Sequence, residues 1–410
     1  MARQTLISIL VRVLLLAGLA AADPKTTTCT IQAKGDGSDD GPVIQAAFDE
    51  CSENAYIIFE EKTYNINSTL NTTNLLNVEV QLRGYLKWSD DTTYWLNHSM
   101  PVGYQNMSTV WFLGGRNFSI KGYGTGTFDG NGQAWYDLVK GISNYPNRPM
   151  GLTIWHAQDA DFTGLNFLQS QMWTMAIMHS KSIVMEDIYV NSSSSNGNPA
   201  RNTDGLDTSF SDDLTFRRWL VDNGDDAISL KANSTNVLIE DSVFLTGQGF
   251  ALGSIGQYPG EFETIENVTV RNITVSKTKY AAYIKTWTGE QVDYPPNGGG
   301  GGLGYIKNIT ISDIELQNVR DSAVNIGQCT TFSGTTGDCD SSLFHIEEVD
   351  FLNFTGTTAS SYIAKMQCSS AAGGCTGLKF EGMDLKNIST GATVTSFSCK
   401  NVLDSVGTTC

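Results

Sequence analysis

The chain has 410 residues, with 26 Lys and Arg against 43 Asp and Glu, 41 Gly, 9 Pro and 8 Cys. That length makes one large domain or two ordinary ones and leaves ample chain to bury a core. A hydrophobic content of 40% excludes a disordered tail and a membrane bundle. The net charge of −17 argues against a nucleic-acid binder, whose phosphate contacts need clustered cations, and against residence on an anionic membrane.

At the N-terminus, Arg3 precedes an apolar stretch, interrupted by Arg12, that ends in Val13-Leu14-Leu15-Leu16. Ala20-Ala21-Ala22 then offers small residues before Asp23. Residues 1–22 are therefore expected to be a secretory signal peptide, and 23–410 a soluble extracellular protein. No later stretch reaches the roughly 18 apolar residues of a membrane span. Twelve N-x-S/T sequons, from Asn67 to Asn387, point to a glycosylated secreted protein, some of them serving simply as Asn in turns. The cysteines cluster as Cys29/Cys51, Cys329/Cys339, Cys368/Cys375 and Cys399/Cys410 and are read as sequential disulfides. Spacing alone leaves that connectivity open.

Gly41 to Cys51 carries the helix pattern, with Pro42 where a first turn tolerates it. Beyond it, short β-branched or aromatic runs alternate with polar residues and end in Asn, Asp or Gly. Examples are 116–120, 183–190, 236–241, 267–275, 308–314 and 378–380. Many starts lie roughly 20 to 50 residues apart, the range of a solenoid coil. A β-sandwich would space paired turn signals more closely, and an α/β fold would place amphipathic helices between the strands. The expected fold is all-β: a single-domain right-handed parallel β-helix whose open N-terminal end is capped by the helix and the Cys29–Cys51 bridge. Gly289 to Gly304, rich in Gly and holding Pro295-Pro296, is expected to form a rim loop.

Three stretches are polar or Gly-rich where the repeat should be apolar. They are Asn202-Thr203-Asp204-Gly205-Leu206-Asp207, Asn223-Gly224-Asp225-Asp226, and Gly247-Gln248-Gly249-Phe250 through Tyr258. Asp204 and Asp225 are 21 residues apart, about one coil. Coils stack at roughly 4.8 Å, so Asp204 should lie beside the Asp225-Asp226 pair. Crowded carboxylates force at least one to keep its proton. An acid beside ionised carboxylates is what glycosidic-bond cleavage needs. For any one Asp, an Asx-turn is the competing explanation; alignment of three favours chemistry.

Asn202-Thr203-Asp204, Asp225-Asp226 and Gly253-Ser254-Ile255-Gly256-Gln257-Tyr258 resemble the polygalacturonase family, glycoside hydrolase family 28. The resemblance implies a right-handed parallel β-helix that hydrolyses pectin with inversion. It makes Asp225 the general acid, with Asp204 and Asp226 holding and deprotonating the attacking water. The Gly256-Gln257-Tyr258 variant looks like the exo-acting branch. Where the family has Gly-His-Gly, this reading places Gly249-Phe250-Ala251, and where it has Arg-Ile-Lys it places Tyr283-Ile284-Lys285. Losing a cation weakens the grip on a carboxylate, and gaining aromatics favours the methyl group of a deoxy sugar.

The reading is a secreted exo-acting hydrolase that releases terminal α-L-rhamnose from rhamnogalacturonan-type pectin. Lys285, Tyr283, Phe250, Asn202, Gln257 and Tyr258 are expected to bind substrate. Trp173 and Trp287 are read either as sugar-stacking residues or as core. No cofactor or metal is expected, nor nucleic acid or membrane as partner, and the protein is expected to be a monomer. The alternatives are an exo-galacturonidase, a non-catalytic polysaccharide-binding β-helix, and a calcium-dependent lyase, for which the motifs supply no Arg base.

Overall fold

The computed structural model describes residues 24–290, 299–331 and 337–410. The expected signal segment and positions 291–298 of the expected rim loop lie outside the described residues.

The strands coil into a right-handed parallel β-helix with three stacks of rungs. One stack, the site-bearing one, runs through Met150–Trp155, Met175–Met178, Leu206–Ser209, Asp226–Leu230, Gly249–Ile255, Ala282–Trp287 and Val324–Thr330. A second stack climbs from Thr27–Ile31 through Glu53–Phe59 and Leu70–Leu82 towards Cys375–Glu381. A third holds short rungs such as Tyr85–Trp88, Thr127–Asp129, Asn166–Leu168 and Tyr189–Asn191. Later strands turn the corner without a break. Ser234–Thr246 pairs with both Ser211–Arg217 and Leu220–Asn223.

Period-two alternation sends every second residue inward, where rungs stack like on like. Val237, Val268, Ile309, Val349 and Leu378 form one such buried row across five coils. Turns into and along these strands need left-handed backbone, which Asn and Asp tolerate better than most residues. Asn236, Asn267 and Asn308 each have φ between 54° and 58°. Their side-chain amides form a ladder: Asn308 donates to Asn267 at 2.6 Å and Asn267 to Asn236 at 3.1 Å. Two of these residues belong to sequons, so an Asn that reads as a glycosylation acceptor also carries backbone geometry.

Helix Gly41–Glu50 closes the N-terminal end. It has Pro in its first turn and lays Ile44 and Phe48 on the core, with Phe48 edge-on to Trp111 at 5.8 Å. Asp40, fully buried before the helix, accepts the backbone N–H groups of Lys34 and Asn65, both at 2.8 Å. The cap is bolted by Cys29–Cys51, and disulfides also join Cys329–Cys339, Cys368–Cys375 and Cys399–Cys410. Two short helices, Thr92–His98 and Gly132–Val139, were not expected from the sequence. Removing the cap's apolar anchor should open the end of the core: Phe48→Ala is expected to cost about 3–5 kcal/mol, read as a lowered denaturant midpoint.

Candidate active site

The site lies on the outer face of the first stack. Leu206 pairs with Ile228, and the Gly205 N–H donates to the Asp226 carbonyl at 3.0 Å. That register sets Asp204 against the next coil's pair. One carboxylate oxygen from each of Asp204, Asp225 and Asp226 lies within 4.8 Å of the others. Asp204 and Asp226 are buried and Asp225 is half-buried. The 21-residue spacing therefore does bring these acids together.

Their partners differ. Asp226 Oδ2 is 2.6 Å from Lys285 Nζ, so the counter-charge at this carboxylate is an ammonium. Asp225 accepts the backbone N–H of Asn202 at 3.2 Å and that of Asp226 at 3.0 Å. Asp204 Oδ1 and Asp226 Oδ1 carry no hydrogen bond among the described residues. Burial raises the pKa of Asp225, and Asp226 adds to it; Lys285, Arg201 and the Asn202 amide oppose them without cancelling them. Asp204 is pushed far above the usual carboxylate range by burial first and then by Asp207, Asp225 and Asp226. Burial disfavours the charge on Lys285, yet Asp226, with Tyr283 and Asp225, holds its pKa above the ordinary value. The site thus joins carboxyls that favour the proton to one carboxylate paired with a lysine.

Asp226 is buried against Lys285, and Asp204, Asp225 and Lys285 line a cleft of about 350 Å³. Two loops wall it. A hairpin of Met100–Pro101 on Ser108–Thr109 projects Gln105 to Met107. Gln105 is held by Gln257 through its side-chain amide at 2.8 Å and by the Tyr258 hydroxyl through its backbone N–H at 2.9 Å. The other wall is Ser143 to Arg148, tied where Asn202 Oδ1 accepts the Asn144 N–H at 2.8 Å and the Ser143 hydroxyl at 3.3 Å. Arg148 is buried and is held by the Gln171 and Arg201 carbonyls. Trp173, Trp287, Tyr283 and Lys285 also line the cleft.

Two expected binding residues do not reach it. Phe250 is 2% exposed and belongs to the hydrophobic core, opposite Ile228 and Ala282. Register shifts between Asp226 and Ile228, so counting by coils misassigns the residue that faces outward. Gln248 faces the cleft instead. It sits between Gly247 and Gly249, both at positive φ, and a Cβ on Gly247 would collide with the Asp225 carbonyl. Gly247-Gln248-Gly249 is thus the Gly-x-Gly frame, with Gln at its centre; the two flanking glycines were the signal. Tyr258 stands behind the wall and supports Gln105 rather than lining the cleft. Arg148, Arg201, Lys279 and the two wall loops were missed because they lie in connections between rungs, and Lys231 because it stands at the end of the rung Asp226–Leu230, outside the motif.

A parallel β-helix with crowded, differently paired carboxylates at the floor of a sugar-sized cleft is laid out as a carboxylate-dependent glycoside hydrolase. The sequence profile of glycosyl hydrolases family 28 matches residues 61–410, and the chain belongs to that family. It is 47% identical to alpha-L-rhamnosidase rgxB of Aspergillus niger over 385 residues, which span 94% of this chain and 90% of that protein. It is 35% identical to an exopolygalacturonase of Cochliobolus carbonum over 396 residues, which span 94% of this chain and 86% of that one. Endo-xylogalacturonan hydrolase from Aspergillus tubingensis superposes with a TM-score of 0.78 at 26% identity, covering 92% of this chain and 96% of that one.

Phe250 and Gln248 should separate cleanly. Phe250→Ala is expected to cost about 3–5 kcal/mol of stability and to leave KM nearly unchanged. Gln248→Ala is expected to leave the denaturant midpoint in place and lower kcat/KM by about tenfold, roughly 1.4 kcal/mol.

Proposed function

We propose that this chain is a secreted, exo-acting α-L-rhamnosidase of pectin that cleaves with inversion. The observation that carries the sugar assignment is the 47% identity to the rhamnosidase across nearly the whole chain, against 35% to an exopolygalacturonase. The four disulfides support export to an oxidising compartment.

Asp225 is the general acid. It is half-buried, lines the cleft, and its surroundings favour the protonated form. As the bond from the anomeric carbon to the leaving oxygen breaks, the electron pair stays on that oxygen, which takes the Asp225 proton. Asp226, paired with Lys285, accepts the proton of the attacking water, whose oxygen bonds to the anomeric carbon. Asp204 orients that water. The close approach of the carboxylates is shorter than the roughly 6.5–9.5 Å typical of inverting pairs, so inversion rests on the family resemblance and is decided by the first-formed anomer.

A second reading, exo-galacturonidase, draws on the cations of the cleft. Arg201 and Lys279 line it and form no ion pair with a carboxylate among the described residues. In a protein of net charge −17, unpaired cations in a cleft favour an anionic ligand. Both readings meet in a rhamnogalacturonan end, with a neutral rhamnose in the cleaved subsite and a uronate carboxylate on the leaving side. The loops Gln105 to Met107 and Ser143 to Arg148, pinned to Gln257 and Asn202, support a closed end and release of one sugar at a time.

Proton NMR of an aryl α-L-rhamnoside digest should show the inverted anomer first, and Asp225→Asn should lower kcat by orders of magnitude while the protein stays folded. Initial appearance of the retained anomer removes the single-displacement assignment. On matched aryl glycosides the wild type should prefer rhamnoside; a preference for galacturonide of about tenfold or more, roughly 1.4 kcal/mol, selects the second reading.

A further inference from the structure

Two lysines that line the cleft are each paired with a buried acid, and the proposed chemistry uses only Asp226–Lys285. The other is Asp207–Lys231. Lys231 Nζ lies 3.1 Å from Asp207 Oδ1, and the two side chains are 6% and 1% exposed. Lys231 also donates to the Ser229 hydroxyl at 3.3 Å and stands over the Trp173 ring at 4.9 Å. Ser229 in turn donates to the Gly253 carbonyl at 2.7 Å.

Stack register explains why the pairs are related. Leu230 pairs with Leu252, and Gly253 with Lys285. Lys231 and Lys285 therefore follow the same outward row two coils apart, with Gly253 between them. Asp207 pairs with Ser229 on the adjacent row, so it reaches Lys231 across one coil. Four carboxyl groups and two ammonium groups thus cluster here, Asp204, Asp225 and the two lysines lining the cleft and Asp207 and Asp226 buried beside them.

A buried ion pair is a weak contributor to stability, since an apolar pair of similar volume often does as well. The position of this one suggests another use. We propose that Asp207–Lys231 is a positioning pair that sets the electrostatic field on Asp204, Asp225 and Asp226, Lys231 offsetting Asp207 so that one of the three carries the transferable proton. The proposal rests on the catalytic roles assigned above.

The surrounding groups agree in sign. Asp204 is raised by burial and by Asp207, with Lys231 opposing. Burial raises Asp207, and Lys231 at 3.1 Å opposes that rise and favours the ionised carboxylate. The other charged and titratable groups facing the cluster are Lys285, Tyr283, Arg148, Arg201 and Tyr104.

The test is the pH dependence of kcat/KM for wild type, Lys231→Met, Asp207→Asn and the double variant, on whichever aryl glycoside the enzyme hydrolyses. Using that substrate keeps a failure of the rhamnose assignment separate from a failure here, and Asp225→Asn tests the catalytic roles independently. Removing the cation favours protonated carboxyls, so Lys231→Met should move both limbs of the profile up by about one pH unit. Removing the anion should move both limbs down. The double variant removes no net charge and should return both limbs to near the wild-type position, and Lys231→Arg should hold them there. If Lys231→Met does not fold, Asp207→Asn and the double variant carry the same comparison. Unmoved limbs in the single variants, or a double variant that fails to return, overturn the proposal.

Discussion

Each coil of this molecule must meet the next at a strand spacing of about 4.8 Å with its backbone groups paired. Everything else follows from that constraint. It aligns Val237, Val268, Ile309 and Val349 into a core row, and it aligns Asp204 with Asp225 and Asp226 into a site. The same pairing that buries apolar side chains inward forces like charges together outward. A parallel coil cannot relax that crowding by sliding, because a one-residue slip would turn every core row to solvent.

Charge crowding is met by partners rather than by distance. Lys285 answers Asp226 and Lys231 answers Asp207, each arriving from a later coil. Among the described residues Asp204 and Asp225 form no such ion pair, and burial keeps them towards the protonated form. The result is a split among chemically identical side chains: two carboxyls held by lysines, and two without one and inclined to hold a proton. Such splitting of environments is how a single residue type supplies both acid and base.

The cleft's shape comes from outside the repeat. Gln105 is 152 residues from Gln257, yet their side chains bond across the wall. Asn202, in the same motif as Asp204, anchors the opposite wall through Asn144. The floor belongs to the coils and the walls to insertions between them. In the proposed reading the floor supplies the chemistry and the walls select the chain end that enters.

Alternating β-branched runs at coil spacing determined the solenoid, since period-two burial and a repeated length have few other solutions. The helix at Gly41, the short cysteine loops and the spacing of Asp204 from Asp225 were legible for the same reason: each is local, or separated by one coil. Phe250 was not legible. The shift in register between Asp226 and Ile228 changes which residues face outward, so Phe250 turns into the core and Gln248 meets the cleft. Counting along the chain gives a residue's coil but not its face once a bulge intervenes. The pairing of Lys231 with Asp207, and the arrival of Arg148 and Gln105 at the cleft, were likewise decided only by the tertiary structure. The Lys231–Asp207 contact depends on which residues of neighbouring rungs face outward side by side, and Arg148 and Gln105 depend on how connections fold back over the stack, a path no periodicity encodes.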